Sequence, residues 1–330
     1  MSATSLASHQ IQHQTVSEKL WHLVAIDLSV PDLEALHRRA GEKWAAHDPD
    51  VLSLTIAEMD FPLAPAVAEA LHHAIDRADL GYPGPAWPSL RRSFCGFAER
   101  RLNWEVDQEQ IVLVPDVMIG LVELELEAIA ERCAEREVWV LADEIHAPVM
   151  LPGATHLPWL EVSDAARRWG VSLTSASKAF NLAALKAALM VTADPAARDL
   201  VARVRGFDDH AGLLGVIAAQ AAFEEGDEWL DAVIDQLAAN REQLGRDLAQ
   251  RVPEIKWTPP QATYLAWFDC TGLGLGDDPA EAFLTKGRVA LSPGLHYGAT
   301  GAGHARLNFA TSPVHLSEAV SRIAHTRDNS

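Results

Sequence analysis

The chain has 330 residues, of which 48% are hydrophobic and 22% are charged, and its formal net charge at neutral pH is −19. This is the composition of a globular protein of one large or two smaller domains, and its acidity argues against nucleic acid or an anionic membrane as a partner. The cysteines Cys95, Cys133 and Cys270 are far apart and form no CxxC pair, so neither a disulfide framework nor a zinc site is expected.

The N-terminal part begins with a stretch that lacks the basic-then-apolar order of a signal peptide, so we expect a loose tail on a cytoplasmic protein. The pattern then predicts an amphipathic helix in "VPDLEALHRRAGEKWAA", a strand in "VLSLTI" and a proline-started helix in "PAVAEALHHAIDRA". "LGYPGPAW" is typical of a loop, and "WPSLRRSFCGFAERRLN" of another helix.

The middle of the chain alternates strands and helices. "QIVLVPDVM" predicts a buried strand that ends in a turn, and "IGLVELELEAIAERCAERE" predicts a long helix. "VWVLADEIHAP" and "GVSLTSASKAF" each predict a strand followed by polar residues, and "ALKAALMVTAD" is a further apolar segment. This alternation indicates an α/β fold with a mostly parallel central sheet.

The C-terminal part is helix-rich from Ala218 to Arg251, with Gly226 as an expected break. Three late strands are predicted in "TYLAWFDC", "GRVALSPG" and "ARLNFATS", and a closing helix in "LSEAVSRIAHTRD". These later strands predict a second, smaller α+β layer.

Three predicted strand ends carry unusual residues, Asp116, Asp143 and Lys178, and ligands of α/β sheets bind beyond the carboxyl ends of the strands. Asp143 ends a buried strand, where an acid is costly unless a donor or cation pairs with it; a helix N-cap is the simpler alternative. Lys178 lies among hydroxyls, and a lysine becomes a nucleophile when it is neutral. A lysine extended from a helix start, or a phosphate-binding turn, are the alternatives for Lys178.

Considered together, these residues point to one cofactor. Pyridoxal phosphate (PLP) requires a lysine for its aldehyde, an acid for its ring nitrogen and a cradle for its phosphate, and it serves as an electron sink. Ser175 and Ser177 are the hydroxyl candidates near the phosphate, and the backbone N–H groups of Val117 and Met118, after the turn at Asp116, would help at a helix start.

The sequence also resembles the fold-type-I PLP enzymes, class I/II aminotransferase family, in the cystathionine β-lyase-like or cysteine-S-conjugate β-lyase branch. The stretches that carry the resemblance run from about Trp44 to Ile323. They are "AEMDFPLAPAV", "GYPGPAW", "LADEIHAP", "SASKAFNLAALKAA", "ATYLAWFD", "GRVALSPG" and "GHARLNFATSP".

The resemblance implies roles for individual residues. Lys178 would carry PLP and move the α-proton of the substrate, Asp143 would pair with the pyridine nitrogen, and His146 would lie near the phenolic oxygen of the ring. The resemblance further places Ser175, Lys186 and, across a dimer interface, Tyr82 at the phosphate. It places Ala57 and Arg306 at the substrate, with Arg306 holding the α-carboxylate through a planar fork that lysine lacks.

The resemblance implies a fold and an activity as well. We expect an aspartate-aminotransferase-like fold with an N-terminal tail and small-domain helix (1–50), a large PLP-binding domain (51–235) and a small C-terminal domain (236–330). The expected activity is carbon–sulfur β-lysis of cystathionine-like or cysteine S-conjugates to thiol, pyruvate and ammonia, in a homodimer that acts on a small amino acid. An aminotransferase, which shares the first steps, is the alternative.

One part of the family pattern is absent from this sequence. Several dozen residues that usually carry a ring-stacking aromatic and an "NPHNPxG"-like asparagine have no counterpart near residue 125. We therefore expect an incomplete central sheet, and a catalytically impaired scaffold of the same fold is a further alternative. "GLGLGDD" and "GATGAGH" lack the spacing of a dinucleotide site, and the histidines form no HExxH, so no metal is expected.

Overall fold

The computed structural model describes residues 26–79, 87–114, 137–202 and 211–328. Within these ranges, none of the helices has the length and apolar character needed to cross a membrane. The described strands are β1 (Leu52–Ser53), β2 (Ile111–Val114), β3 (Val140–Asp143), β4 (Gly170–Thr174), β5 (Ala188–Thr192), β6 (Lys256–Trp257), β7 (Leu265–Asp269), β8 (Val289–Ala290), β9 (Ser292–Pro293) and β10 (His304–Asn308).

The α-helices of the same ranges follow the sequence signals for starts and stops. They are α1 (Leu33–His37), α2 (Glu42–Ala45), α3 (Pro65–Asp76), α4 (Trp87–Leu102), α5 (Asp164–Trp169), α6 (Ala176–Ala179), α7 (Pro195–Val201), α8 (Leu213–Glu225), α9 (Asp227–Arg251), α10 (Pro279–Gly287) and α11 (Pro313–Asp328). The side chains of Ser163, Ser175 and Asp194 cap α5, α6 and α7 by accepting a backbone N–H of the first turn.

The larger sheet has the strand order β2-β5-β4-β3. β3 pairs in parallel with β4, whereas β5 is antiparallel to both β4 and β2. Three of the four strands therefore run in one direction, as predicted, and β5 runs in the other. β4 and β5 are buried along their whole length, but β3 is only partly buried and forms one edge of the described sheet. A partly exposed edge is consistent with the expected incomplete sheet.

A helical layer covers one face of this sheet region. α8 packs against α3 and α4, and Phe223 of α8 contacts Phe94 and Phe97 of α4 through their rings. The predicted break at Gly226 separates α8 from α9. A Cβ on Gly226 would come within 2.4 Å of the Ala222 carbonyl oxygen and of the Phe180 ring, so this close packing excludes a side chain.

The C-terminal sheet is antiparallel, in the order β6-β7-β10-β9, and the predicted late strands correspond to β7, β8 with β9, and β10. α9 packs against α11, and α10 packs against α11 and β8. β1 pairs with β8 in parallel, which ties the N-terminal segment to this part. The buried core continues from Leu36 to Ile323, and the division at residues 50 and 235 stays a prediction.

The single helix predicted for "VPDLEALHRRAGEKWAA" is wrong, because the structure has two short helices there. α1 ends before Arg38, and α2 begins after Gly41, which has extended backbone angles. The break turns Lys43 and Trp44 into the core, where both are almost completely buried. Burial of a lysine is costly without partners, so the hydrogen bonds of Lys43 to Glu58 and Asp60 favour two short helices over one continuous helix.

Candidate active site

Asp143 and Lys178 lie at the same edge of the larger sheet. Asp143 ends β3 and is paired across the parallel β3–β4 ladder with Leu173, and α6, which carries Lys178, begins directly after β4. The Nζ atom of Lys178 donates a hydrogen bond to the Ala57 carbonyl oxygen at 3.2 Å. The sequence prediction that these strand ends meet is thus consistent with the fold.

The surroundings lower the pKa of Lys178 and raise the pKa of Asp143, so both shifts favour the uncharged forms. Burial lowers the pKa of Lys178, and so do the positive charges of Arg306 and Lys186, while Glu58 and Asp143 act in the opposite direction. Asp143 is exposed at the end of β3, so this strand end is less buried than the sequence predicts. Desolvation by the surrounding protein still raises the pKa of Asp143, although the Ile145 N–H, which donates to Oδ1 at 3.1 Å, and the charge of Lys178 oppose this shift. A lysine with a lowered pKa is more readily the neutral nucleophile.

The backbone segment from Ile56 to Asp60, here the 56–60 segment, is held by side chains along its whole length. Asn308 Nδ2 donates to the Ile56 and Glu58 carbonyls, both at 2.7 Å. Asn181 bonds both the N–H and the carbonyl of Met59 at 2.9 Å. Lys43 Nζ donates to the Glu58 carbonyl at 3.0 Å, and Arg39 to the Asp60 carbonyl at 3.1 Å.

The remaining carbonyl of the 56–60 segment, that of Ala57, accepts from Lys178 and from Tyr264. The Tyr264 hydroxyl lies 3.1 Å from the Ala57 oxygen and 3.4 Å from the Lys178 carbonyl oxygen. Tyr264 is fully buried, and this burial raises the pKa of its hydroxyl, so the proton that it donates is retained. Ile56 has a left-handed backbone with φ of 49°, a strain that these contacts maintain.

His146 lies beside Tyr264, with the ring centroids 5.7 Å apart in an edge-to-face arrangement. Its Nδ1 atom is 3.0 Å from the Thr263 hydroxyl. Burial, together with the positive charges of Lys178 and Arg306, lowers the pKa of His146 to about 4. His146 is therefore a neutral imidazole near pH 7. Thr263 and Tyr264 had no assigned role in the sequence analysis, and the one signal for Tyr264 was a hydroxyl at the start of an apolar strand.

Arg306 projects from β10, where its register partners are Ser292 of β9 and Trp267 of β7. Its Nη2 atom lies 3.5 Å from the Ser292 hydroxyl, and its guanidinium carbon lies 4.9 Å from the centroid of the Tyr297 ring. A ring face and a hydroxyl hold the guanidinium without neutralising it. Arg306 also lowers the pKa values of Lys178 and His146, so its charge acts on the same site.

The predicted phosphate-side residues that the structure describes lie around the start of α6 and before β5, and their phosphate role stays a prediction. Ser175 is buried and donates to the Ala187 carbonyl at 2.7 Å while it accepts the Ser177 N–H at 3.1 Å, so its hydroxyl proton is engaged in the fold. Ser177 Oγ is 2.8 Å from Ser175 Oγ. Lys186 has a left-handed backbone with φ of 55°, and its charge reaches Lys178. Tyr82, Val117 and Met118 lie outside the described residues.

Metal chemistry finds no support in the described part of the chain, which holds no group of three or more histidine, cysteine or carboxylate side chains placed to bind an ion.

Comparison with known proteins identifies the family. The model of the family "Aminotransferase class I and II" matches residues 121–323. A Mycobacterium leprae protein assigned as a cystathionine β-lyase is 32% identical, over 90% of this chain and 97% of the relative. The chain belongs to the aminotransferase class I and II family. This membership confirms the family predicted from the "DEIH" and "SKAFN" stretches.

Two further relatives of this class I and II family member are similar over nearly their whole length. The cystathionine β-lyase of Corynebacterium glutamicum is 29% identical, over 89% of this chain and 98% of the relative. A crystal structure from Corynebacterium diphtheriae, assigned as a PLP-dependent β-cystathionase, superposes with a TM-score of 0.83 and 28% identity, over 92% of this chain and 99% of the other. The aspartate-aminotransferase-like fold class is confirmed by this superposition.

The alignments also show that relatives in the class I and II family carry residues that this chain lacks. The alignment with the M. leprae protein spans 394 residues, which is longer than the whole chain of 330, although it uses only 90% of the chain. Many positions of the relative therefore have no counterpart here, as the missing family segment predicts. The location of this gap near residue 125 stays a prediction.

Proposed function

We propose that the protein is a PLP-dependent carbon–sulfur β-lyase that cleaves cysteine S-conjugates or cystathionine-like thioethers to a thiol, pyruvate and ammonia. The observation that carries the proposal is the position of a pKa-lowered lysine and an acid at neighbouring carboxyl ends of parallel strands. The relatives assigned as cystathionine β-lyases support lysis of a C–S bond over amino-group transfer.

The described residues fit PLP at its aldehyde and at its ring nitrogen. The amine of Lys178 donates a hydrogen bond to a carbonyl and has no ion-pair partner among the described residues, so it is available to hold the aldehyde carbon. Asp143, one strand away, would pair with the ring nitrogen. When bound, PLP supplies an electron sink for a carbanion next to an amino group. The residues proposed to bind the phosphate are Ser177, Lys186, Tyr82, Val117 and Met118. Ser175 would act at the phosphate end by capping α6.

Lys178 would also move the α-proton of the substrate. Burial lowers the pKa of Lys178, which favours the neutral amine that can accept a proton from carbon, and the hydrogen bond to the Ala57 carbonyl orients its Nζ atom. Tyr264 holds that carbonyl from its other side, and the contacts along the 56–60 segment prevent it from moving. The 56–60 segment would therefore position the Lys178 amine, which is the proposed base. Ala57 lies next to this amine, so it is proposed to contact the substrate.

Arg306 would bind the α-carboxylate of the substrate. Its guanidinium lies against Tyr297 and Ser292, and among the described residues no carboxylate is within ion-pair distance of it. Two parallel N–H groups suit a carboxylate, and a bidentate pair fixes the orientation of the α-carbon. His146, held neutral, can donate or accept one hydrogen bond near the ring oxygen, and Thr263 fixes which of its nitrogens is used.

The net reaction consumes one water molecule. The bond between sulfur and the β-carbon breaks, the sulfur leaves as a thiol with one proton, and water supplies the keto oxygen of pyruvate as ammonia departs. Amino-group transfer differs because it needs a keto acid and releases no thiol.

The test is to incubate the purified protein and PLP with an S-alkyl cysteine and with cystathionine, and to measure pyruvate and thiol separately. We expect equal amounts of both products without any keto acid, and no turnover in Lys178→Ala. Turnover that depends on a keto acid and releases no thiol would instead establish an aminotransferase. Absence of both reactions in the PLP-loaded protein would establish the impaired scaffold.

A homodimer in the cytoplasm completes the proposal, with Tyr82 reaching the phosphate bound to the neighbouring subunit. Light scattering after size-exclusion chromatography should give twice the chain mass of 35.9 kDa. A monomer that retains lyase activity would eliminate this role of Tyr82.

A further inference from the structure

A cleft of about 410 Å³ lies where the N-terminal segment meets the C-terminal part, and we call it the side cleft. Its volume is in the range of small-molecule sites. Its walls come from α2, from the residues after β1, from α10 and from the β8–β9 region. The apolar lining residues, which we call the floor, include the buried Ala290 and Leu291 and the half-buried Ile56 and Leu284.

The side cleft borders the proposed active site at two points. Ser292 lines the cleft, and its hydroxyl is the partner of Arg306, the proposed carboxylate-binding residue. Ile56 also lines the cleft and directly precedes Ala57, whose carbonyl accepts from Lys178. A substrate held between Arg306 and Lys178 would therefore have the side cleft within reach of its side chain.

The charges of the side cleft have one sign. Among the residues that the structure describes, its lining includes the carboxylates of Glu42, Asp278 and Glu281 and the imidazoles of His47 and His296, but no lysine or arginine. Burial, together with the charge of His37, lowers the pKa of His47, although Asp48 opposes this shift, so the charged form of this imidazole is disfavoured. A second carboxylate placed here would meet like charges, and Arg306, the cation that borders the cleft at Ser292, would already hold the α-carboxylate, whereas an apolar or cationic group would meet no such repulsion.

We propose that the side cleft holds the sulfur substituent of the substrate and selects cysteine S-conjugates whose substituent is cationic or has no net charge over those whose substituent has a net negative charge. This inference rests on the proposed lyase function and narrows its substrate class. The apolar floor accepts the carbon atoms of the substituent, and the acidic rim, formed by Glu42, Asp278 and Glu281, repels an anionic end.

The test uses three conjugates of similar size and different charge: S-propyl-, S-(2-aminoethyl)- and S-(carboxymethyl)-L-cysteine. The PLP-loaded protein is assayed for pyruvate, and kcat/KM is compared. For the natural protein we expect the propyl and aminoethyl conjugates to exceed the carboxymethyl conjugate by about tenfold or more, consistent with several like charges at a partly exposed site.

Two variants test whether the acidic rim causes the preference in kcat/KM. The intrinsic reactivity of the leaving thiols is the same in every variant, so it cannot change the preference between them. In Glu42→Gln/Glu281→Gln, the ratio of kcat/KM for the aminoethyl conjugate to that for the carboxymethyl conjugate should fall about fivefold or more, because each lost carboxylate both attracted the ammonium and repelled the carboxylate. Glu105→Gln removes an exposed acid outside the cleft and is the matched control, with the ratio unchanged.

The outcomes distinguish the two proposals. Pyruvate formation with an equal or higher kcat/KM for the carboxymethyl conjugate, or an unchanged ratio in the double variant, would overturn the side-cleft assignment and leave the lyase function intact. No pyruvate from any conjugate would overturn the lyase function, and the side-cleft assignment with it.

Discussion

Lys43 and Asp60 form a buried ion pair behind the 56–60 segment, and its removal gives a sharp prediction. Lys43 is 1% exposed and Asp60 is completely buried, with Nζ and Oδ1 3.0 Å apart. Trp44 Nε1 also donates to this Oδ1 at 3.0 Å, whereas the buried Oδ2 has no hydrogen-bond partner within the described parts of the chain. Lys43→Met keeps most of the side-chain volume and leaves the Asp60 charge with Arg39, whose Nη1 is 3.9 Å away.

The magnitude follows from the geometry. Removing one partner of a buried ion pair costs about 3–5 kcal/mol, because the other charge is left uncompensated. Arg39 can move toward Asp60, so we expect the lower end, about 3 kcal/mol of the free energy of unfolding. Lys43 also donates to the Glu58 carbonyl, and its loss should loosen the 56–60 segment and lower kcat as well.

Urea denaturation followed by tryptophan fluorescence measures this cost. Arg38→Met is the matched control, because Arg38 and Glu34 form an ion pair with side chains 66% and 86% exposed, worth less than about 0.5 kcal/mol. Lys43→Met/Asp60→Leu removes both charges and should recover much of the loss. A cost for Lys43→Met below about 1 kcal/mol, or a double variant no more stable than the single one, would refute the reasoning.

Three further predictions concern the residues around Lys178. His146 has a folded-state pKa of about 4 against about 6.5 in the unfolded chain, so the unfolded state binds more protons between these values. The free energy of unfolding should therefore fall as the pH decreases from 7 to 5, by about 2 kcal/mol more in the natural protein than in His146→Gln. The same pH dependence of this free energy in both proteins, measured by urea denaturation, would contradict this. Tyr264→Phe removes the donor to the Ala57 carbonyl and should cost about 1 kcal/mol and lower the kcat of pyruvate formation severalfold. Unchanged kcat would show that the carbonyl does not position Lys178. Asn308→Ala leaves the Ile56 and Glu58 carbonyls without their Asn308 donor and should cost about 2–3 kcal/mol in urea melts, against less than about 0.5 for the exposed Gln108→Ala. Equal costs for the two variants would refute the segment's role.

The part of the site that depends on short local patterns can be predicted from the sequence. Asp143 and Lys178 each follow an apolar run at the start of a polar turn, and strands with this pattern end at the same edge of an α/β sheet. The late strands and the break at Gly226 are equally local. Fold class and cofactor therefore follow from residues close together in the chain, together with the family resemblance.

The rest depends on partners that are distant in the chain. Asn308 meets Ile56 across 252 positions, and Tyr264 meets Ala57 across 207. The residue type does not predict such a partner, because a buried asparagine or tyrosine needs a hydrogen bond but does not specify the residue that forms it. The reversed direction of β5 and the two-helix arrangement around Gly41 have the same origin. Both are set by tertiary packing, which a periodic pattern does not record.

The central claim is that the amine of Lys178 binds the aldehyde of PLP while Asp143 holds the ring nitrogen. The most direct measurement is to load the protein with PLP, reduce it with borohydride, and locate the stable adduct by mass spectrometry of its peptides. We expect one adduct per chain, on Lys178, and a much lower yield at limiting PLP in Asp143→Asn. An adduct absent from Lys178, or spread over several lysines, would contradict the account.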